Sequence, residues 1–279
     1  MALGTDQMTI TTGANFIPEL WGPNVILAAE RKLVLRNLVW DWTASGKGKG
    51  DLIHIPNVSN LTVTAKAANA QVVLSAPSEA MVTLNINRHD EVSFLLEDIT
   101  KVQADFNLLS IYTKKAGYSL AQQMDTRLST LFSGFSQITG AAGVDIGDEQ
   151  IRTAVEFLDL ADADQEMRYL CIYPTQKNAL FAIEKYFRAD FKGNTENTIV
   201  TGKLGEIYGV PVYVTTNLAT SANARLNAMF QKEALASAVQ VGPRTQSDYI
   251  LEYLGTLIVN DAIYGEVEAR DDHGVWIQS

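Results

Sequence analysis

The sequence predicts an α+β fold that combines an extended arm, a two-stranded β-ribbon, one long helix and a mixed α/β domain. Three observations lead to this prediction. Between residues 51 and 87 the only charged side chains are Asp51, Lys66 and Glu79, and the apolar residues alternate as they do in strands. From Ile99 onward the apolar period becomes that of a helix. The second half then alternates helix-like and strand-like segments.

Composition restricts the class of protein. The 279-residue chain is 47% hydrophobic and 19% charged, which is typical of one large globular domain or two smaller ones. Its formal net charge of −10, without a basic tract, argues against binding nucleic acid through phosphates. Cys171 is the single cysteine, so no intrachain disulfide forms, and its apolar neighbours indicate a buried side chain. Neither a signal peptide nor a membrane span is apparent, so we expect a chain that folds in a cytosol.

The N-terminal part predicts an arm, then a helix, then a ribbon. Residues 1–17 are small and polar, as in a segment that orders only when another element holds it. Residues 18–38 are first helix-like and then rich in β-formers, up to LVLRNLVWDW. The ribbon is predicted from LIHIPNV and MVTLNINRHDEVSFLL, with the shorter strand-like pieces LTVTA and QVVL between them. Because an isolated ribbon is marginal in water and this one lacks edge charges, we expect another subunit to cover it.

A single helix of roughly 30 residues, about 45 Å long, is predicted after the ribbon. Its apolar residues recur at steps of three or four, and Gly117 interrupts it midway. We interpret this apolar face as core scaffold rather than a cofactor site. The face consists of Ile99, Val102, Phe106, Leu109, Ala116, Leu120, Met124, Leu128 and Leu131.

The second half predicts a linker and then alternating helices and strands. The linker is the glycine-rich segment 133–148, and Asp148 is placed to cap the following helix. The strand MRYLCIY precedes a helix that begins at Pro174, and VPVYVTT forms a strand after a polar loop. LNAMF is predicted as a strand and KEALASAVQ as a short helix. SDYILEYLGTLIVND and AIYGEVEAR are predicted as the last two strands.

The segment TASGKGKGD (43–51) is the best candidate for a phosphate-binding loop, and it lacks the required features. A P-loop needs Ser or Thr after its Gly-Lys pair, whereas Gly50 follows Lys49. A dinucleotide-binding loop leads into a helix, whereas this segment leads into the strand LIHIP. Gly46, Gly48 and Gly50 instead predict a flexible hinge at the base of the ribbon. The three histidines are far apart and no catalytic arrangement is visible, so we expect no metal, no cofactor and no enzymatic activity.

The stretch YPTQKNALFAIEKY…KLGEIYGVPVYVTTNL combines a strand, a helix, a polar loop and the pattern G-x-x-x-G-x-P-V before a further strand. The residues of this pattern are Gly205, Gly209, Pro211 and Val212. The stretch resembles the A-domain of tailed-bacteriophage major capsid proteins, which have the Hong Kong 97-like fold. The upstream order of arm, ribbon and long helix is also similar to that family, so the resemblance covers nearly the whole chain.

The resemblance implies five regions: an N-terminal arm with a first helix (1–42), a β-ribbon called the E-loop (43–97), the spine helix of the P-domain (98–135), the A-domain (136–240) and C-terminal strands that return to the P-domain (241–279). It implies a non-enzymatic major capsid protein that self-assembles into the pentamers and hexamers of an icosahedral head. That head encloses double-stranded DNA without sequence-specific binding. The inter-subunit contact candidates are Lys47, Lys49, Lys66, Arg88, Arg188 and Lys192.

The partners implied by the resemblance are other copies of the chain, a separate scaffold protein, a portal and, as a further candidate, a decoration protein. The expected location is the virion capsid, assembled in the host cytoplasm without a membrane. Some members of the family join an E-loop lysine to an asparagine, and Lys66 is the candidate donor, although an ordinary exposed lysine is the favoured interpretation. Two alternatives stay open: the shell of an encapsulin-type compartment, and a soluble α/β enzyme that uses the glycine-rich loops.

Overall fold

The computed structural model describes residues 33–46, 50–58, 61, 63–72, 74, 79–99, 108–183, 186, 205–221 and 224–279. In chain order its strands are β1 (Trp40–Asp41), β2 (Leu52–Val58), β3 (Glu79–Asn85), β4 (Arg88–Glu97), β5 (Gln137–Gly140), β6 (Arg168–Ile172), β7 (Glu206–Ile207), β8 (Val210–Val214), β9 (Thr220–Ser221), β10 (Ala224–Gln231), β11 (Leu235–Ile250), β12 (Gly255–Glu268) and β13 (Gly274–Gln278). Its α-helices are α1 (Thr43–Gly46), the long helix α2 (Leu108–Thr130), α3 (Asp148–Leu160) and α4 (Pro174–Phe181). The predicted arm and most of the predicted first helix lie outside the described residues.

Four strands form one sheet in the order β1–β11–β12–β4. β11 and β12 are long antiparallel neighbours, and β4 pairs with the other side of β12. The helix predicted for KEALASAVQ is wrong, because only Lys232–Ala234 form a 3-10 turn and the rest begins β11. Leu235, Ala236 and Ala238 are all fully buried. In a short run of buried apolar residues, the spacing of apolar positions does not distinguish a strand from a helix. The single strand predicted for SDYILEYLGTLIVND is also wrong, since it contains the turn between β11 and β12.

Seven strands form the second sheet, with the path β5–β13–β10–β6–β8–β7 and with β9 beside β10. The predicted face of α3 is confirmed: Ile151, Ala154 and Leu158 are buried, in one cluster with Leu170 and Ile172 of β6. The predicted strands LNAMF and VPVYVTT correspond to β10 and β8. The linker predicted over 133–148 is wrong in part, because β5 lies within it and pairs in parallel with β13.

The ribbon consists of β2 and β3, which pair antiparallel from Leu52 opposite Asn85 to Val58 opposite Glu79. The single strand predicted for MVTLNINRHDEVSFLL is wrong, because it breaks at Ile86 before β4 joins the four-stranded sheet. The N–H of Ile86 donates to the carbonyl oxygen of Asp51 at 2.7 Å and closes the ribbon at this end. The pieces LTVTA and QVVL are not strands at any of their described residues.

The long helix packs as the sequence predicts over its described part. Ala116, Leu120, Met124 and Leu128 are buried along one face. The helix continues into a 3-10 turn, Leu131–Gly134, which leads to β5. The start of the predicted helix, residues 100–107, lies outside the described residues.

A buried carboxylate on the long helix organises the segment before the ribbon. Asp125 is 1% exposed and accepts hydrogen bonds from the backbone N–H of Val34 at 3.3 Å and of Arg36 at 3.1 Å. These bonds satisfy N–H groups at the start of a 3-10 turn, Leu35–Asn37. Of the β-rich segment LVLRNLVWDW predicted here, only Trp40–Asp41 form a strand, β1.

Candidate functional site

The ribbon tip, defined as residues 61, 63–72 and 74, is exposed at every described residue. It carries four large exposed apolar side chains, and the most exposed are Val63 at 96% and Leu74 at 91%; the other two are Leu61 and Val72. Large exposed apolar side chains that are concentrated in one segment indicate an interaction surface in a soluble protein. Lys66 is the single charged residue of the tip, and it is also exposed.

The ribbon root, by contrast, is fixed to the four-stranded sheet. Ile55, Leu84 and Ile86 are buried in a cluster with Ala236 and Ala238 of β11. Alternate residues of β2 and β3 face this cluster, as the period of a strand requires. The ribbon is therefore anchored at one end and uncovered at the other.

Two backbone contacts complete the root. The side-chain amide of Gln240 donates to the carbonyl oxygen of Gly50 at 2.9 Å. Gly265 of β12 lies directly under the backbone of Asn85 and Ile86, where a Cβ atom would overlap their main chain. The glycine at this position is required for the close approach of the two strands.

The predicted hinge is only partly described. Gly46 ends the short helix α1. Gly50 has a φ of +140°, which favours glycine, and a Cβ atom added to it would meet no neighbouring atom within 4 Å. Lys47, Gly48 and Lys49 lie outside the described residues. The hinge therefore stays a prediction.

The predicted contact residues do not form one cluster among the described residues. Lys66 is at the ribbon tip, and Arg88 is exposed at the start of β4. Arg188 and Lys192 lie outside the described residues. Their role in contacts between subunits stays a prediction.

The G-x-x-x-G-x-P-V residues build a hairpin in the seven-stranded sheet. Glu206 pairs with Pro211 and Ile207 with Val210, so Tyr208 and Gly209 form a two-residue turn. Both turn residues have positive φ, 51° and 78°, which is the geometry of a type I′ turn.

The remaining pattern residues connect this hairpin to the sheet. Gly205 also has positive φ, 66°, and its carbonyl oxygen accepts from the N–H of Val212 at 3.0 Å. Val212 is the register partner of Leu170 in parallel strands β8 and β6. The G-x-x-x-G-x-P-V pattern therefore corresponds to a defined turn and the strand that follows it in this chain.

A second buried carboxylate, Asp261, holds three strands together. It accepts from Nε and Nη2 of Arg244 at 2.8 Å each and lies 3.0 Å from Nε2 of His89. The hydrogen bonds from Arg244 lower the pKa of Asp261 to about 2. Sequence reasoning missed this site because the three residues belong to distant parts of the chain.

No cluster of metal-ligating side chains is present in the part of the chain that the structure describes. His54 lies 3.3 Å from the hydroxyl of Thr83, whereas His89 pairs with Asp261, so the two histidines do not face each other across the ribbon. Cys171 is fully buried, and burial raises the pKa of its thiol far above the ordinary value. None of the described helices is long and apolar enough to cross a membrane.

Comparison with solved structures relates this fold to phage particles. A chain from Mycobacterium phage Che8 has a TM-score of 0.84 and 25% identity, over 94% of this chain and 97% of that one. A chain from the capsid of the Cyanophage P-SCSP1u has a TM-score of 0.80 and 16% identity, over 99% and 96%. A chain from the mature capsid of bacteriophage PhiM1 has a TM-score of 0.76 and 11% identity, over 94% and 91%. No protein-family model and no curated protein matches the sequence.

The chain therefore has the fold of phage capsid chains over nearly its whole length. The resemblance to tailed-phage major capsid proteins is confirmed at this level. The comparisons favour neither the compartment shell nor the soluble enzyme that the sequence left open.

Proposed function

We propose that this chain is a major capsid protein whose copies assemble into the icosahedral head of a tailed phage around double-stranded DNA. The observation that carries the proposal is an uncovered apolar ribbon tip on a chain with the phage capsid fold. Assembly supplies the cover that the described residues of one subunit do not provide for this tip. In this role the chain has no catalytic centre of its own.

The ribbon tip supplies an energy of the right order for a repeated contact. Full burial of a Val or Leu side chain contributes about 1.5–3 kcal/mol. Four such side chains therefore provide several kcal/mol per contact, which a closed shell repeats at every subunit. A contact between the tip and a different surface of the next copy is heterologous, and heterologous contacts close into rings such as pentamers and hexamers.

Charge supports an enclosing role for the protein. The net charge of −10 disfavours tight adhesion of packaged DNA to the shell. We infer assembly in the host cytoplasm with a separate scaffold protein and a portal, and a decoration protein is a further candidate partner. The mature location is the virion capsid.

The exposed cations are proposed to select the contacts between subunits. Lys66 at the ribbon tip and Arg88 on β4 are exposed and available to carboxylates of a neighbouring copy. We propose the same role for Lys47, Lys49, Arg188 and Lys192, and a hinge role for Gly46, Gly48 and Gly50. We expect charge reversal at Lys66 to slow assembly in a salt-dependent way while the subunit stays folded.

The decisive experiment expresses the full-length chain and examines its assembly by size-exclusion chromatography and negative-stain electron microscopy. We expect closed particles from the wild type. The double variant Val63→Asp, Leu74→Asp should remain folded by circular dichroism but fail to form particles, because it places two charges in the buried contact. The control Leu160→Asp replaces an exposed apolar side chain at the end of α3, away from the ribbon, and should assemble.

A strictly monomeric wild type under all assembly conditions contradicts the proposal. Normal assembly of the ribbon variant contradicts the role given to the tip. Particles from the native source that contain an enzyme in place of genome-length DNA indicate a compartment shell instead.

A further inference from the structure

One face of β12 presents a row of ionisable side chains near the end of the long helix. Tyr264, Glu266 and Glu268 occupy alternate positions, so their side chains lie on the same side of the strand. The hydroxyl of Tyr264 donates to Asp90 of β4. Arg127 of the long helix donates to both oxygens of Asp90, at 3.2 Å each, so this side of β12 faces the helix.

The last acid of the row fits into a notch at the helix end. Oε2 of Glu268 lies 2.5 Å from the position that a Cβ atom would take on Gly134, the final residue of the 3-10 turn. Together with burial, the nearby carboxyl group of Asp271 raises the pKa of Glu268. Asp271 in turn accepts from the N–H of Ser136 at 2.7 Å, directly before β5. Two neighbouring carboxyl groups disfavour ionisation of both at once.

The surroundings of both glutamates favour the protonated form. Burial raises the pKa of Glu266 to about 8 and that of Glu268 to about 7, and the carboxyl group of Asp271 adds to the effect on Glu268. The C-terminal end of the helix also disfavours negative charge. Burial acts in the same direction on Asp271, but hydrogen bonds from Ser136 hold its pKa below the ordinary value.

The nearby arginines act in the opposite direction and are mostly engaged elsewhere. Arg127, Arg36 and Arg88 attract the ionised form of Glu266, whereas Asp90 repels it. Arg127 is paired with Asp90, and Arg36 contacts Asp41 at 3.2 Å and the hydroxyl of Ser237 at 3.1 Å. Beyond the strand end, Arg270 pairs with Glu233 at 3.5 Å.

We propose that Glu266 and Glu268 form a proton-dependent latch between β12 and the end of the long helix. With both carboxyl groups protonated, the strand end stays seated in the notch at Gly134. Ionisation places negative charge beside Asp90, beside Asp271 and at the helix terminus. The resulting repulsion weakens the contact between the end of β12 and the end of the long helix. The latch joins the four-stranded sheet to the segment that enters β5 of the seven-stranded sheet, so it sets how firmly the two sheets are tied.

The sign of the pH dependence follows from the direction of the shifts. An acid whose folded-state pKa is raised stabilises the fold fully below its unfolded-state pKa, and this stabilisation is lost as pH rises through the folded-state value. The unfolding equilibrium constant should therefore rise by up to about tenfold per pH unit for each glutamate, between roughly pH 5 and 7. The rise should end above about pH 8.5.

The test compares the full-length wild type with Glu266→Gln, Glu268→Gln and the double variant. Urea unfolding is measured from about pH 5 to 8.5 under conditions that prevent assembly. Glutamine is uncharged at every pH, so the double variant should lose most of the pH dependence and should be more stable than the wild type at the alkaline end. The control Glu156→Gln changes an exposed glutamate on α3 and should keep the wild-type profile.

A wild type whose stability is constant or rises over this pH range overturns the proposal, as does a double variant with the wild-type profile. Infrared spectroscopy of the wild type provides a measurement that does not depend on how the variants fold. Bands of protonated carboxyl groups should be present near pH 6 and disappear by about pH 9. Their absence near pH 6 also overturns the proposal.

Discussion

Replacement of Asp125 by alanine should cost about 3–5 kcal/mol of folding stability. Asp125 is buried and accepts hydrogen bonds from three groups: the N–H of Val34, the N–H of Arg36 and the side-chain amide of Asn217 at 3.0 Å. Each buried donor that loses its acceptor costs about 1–3 kcal/mol, and the N–H of Arg36 is only half-buried, so it falls at the low end. Asp125→Asn keeps one acceptor oxygen and should cost about 1–3 kcal/mol.

Equilibrium urea unfolding of the full-length chain, followed by tryptophan fluorescence, measures this loss. The protein concentration must stay below that of assembly, because assembly adds its own stabilisation. Gln123→Ala is the matched control, since Gln123 is an exposed residue two positions earlier on the same helix. It should change stability by no more than about 0.5 kcal/mol. A loss below about 1 kcal/mol in Asp125→Ala, or an equal loss in the control, refutes the reasoning.

Three further predictions concern the ribbon root, the Asp261 site that joins β4, β11 and β12, and Cys171. Gly265→Ala should destabilise the fold by about 1–3 kcal/mol, because its methyl group overlaps the ribbon backbone. Gly117→Ala, on the open face of the long helix, should instead stabilise the fold by about 0.5–1 kcal/mol. Urea unfolding measures both changes. Arg244→Met should move acid unfolding to higher pH, because the pKa of Asp261 then returns toward its ordinary value. Cys171 should react with a thiol reagent only after denaturation, because its side chain is fully buried.

Each of these three predictions has a result that contradicts it. Equal effects of the two alanine substitutions show that the ribbon backbone does not rest on Gly265. Because the pKa of Asp261 is lowered, its ionised form stabilises the fold above about pH 4, and this stabilisation is lost as pH falls toward 2. An unchanged acid transition in Arg244→Met therefore argues against a stabilising pair between Arg244 and Asp261. Rapid labelling of Cys171 in the native protein contradicts its burial.

The parts of the fold that depend on local composition were predictable from the sequence. The low charge between residues 51 and 87 and the alternation of apolar residues within this stretch predict a ribbon, and β2 and β3 are present. The helical period predicts the long helix, whose buried residues Ala116 to Leu128 follow it. The resemblance that identified the fold rests on the order of elements and on one pattern, whose Gly205 and Gly209 adopt positive φ in the structure.

The parts that depend on distant neighbours were not predictable. The β11–β12 hairpin was missed because its turn ends in Leu254 with a φ of 44°, a conformation that sequence patterns assign to Gly or Asn. Asp261 and Asp125 look like ordinary solvated acids until the fold brings Arg244 and Asn217 to them. A buried carboxylate has no sequence signature, because its partners set its role.

The contrast between the two ends of the ribbon bears directly on assembly. At the root, Leu84 and Ile86 are buried and Gly265 admits the backbone, so the direction in which the ribbon leaves the sheet is determined by packing within one subunit. At the tip, Val63 and Leu74 lie almost fully in solvent. A contact surface presented by a fixed root loses less conformational entropy on binding than one on a free loop. The entropy that a tip contact must offset is therefore confined to the residues beyond the last ribbon pair, Val58 and Glu79.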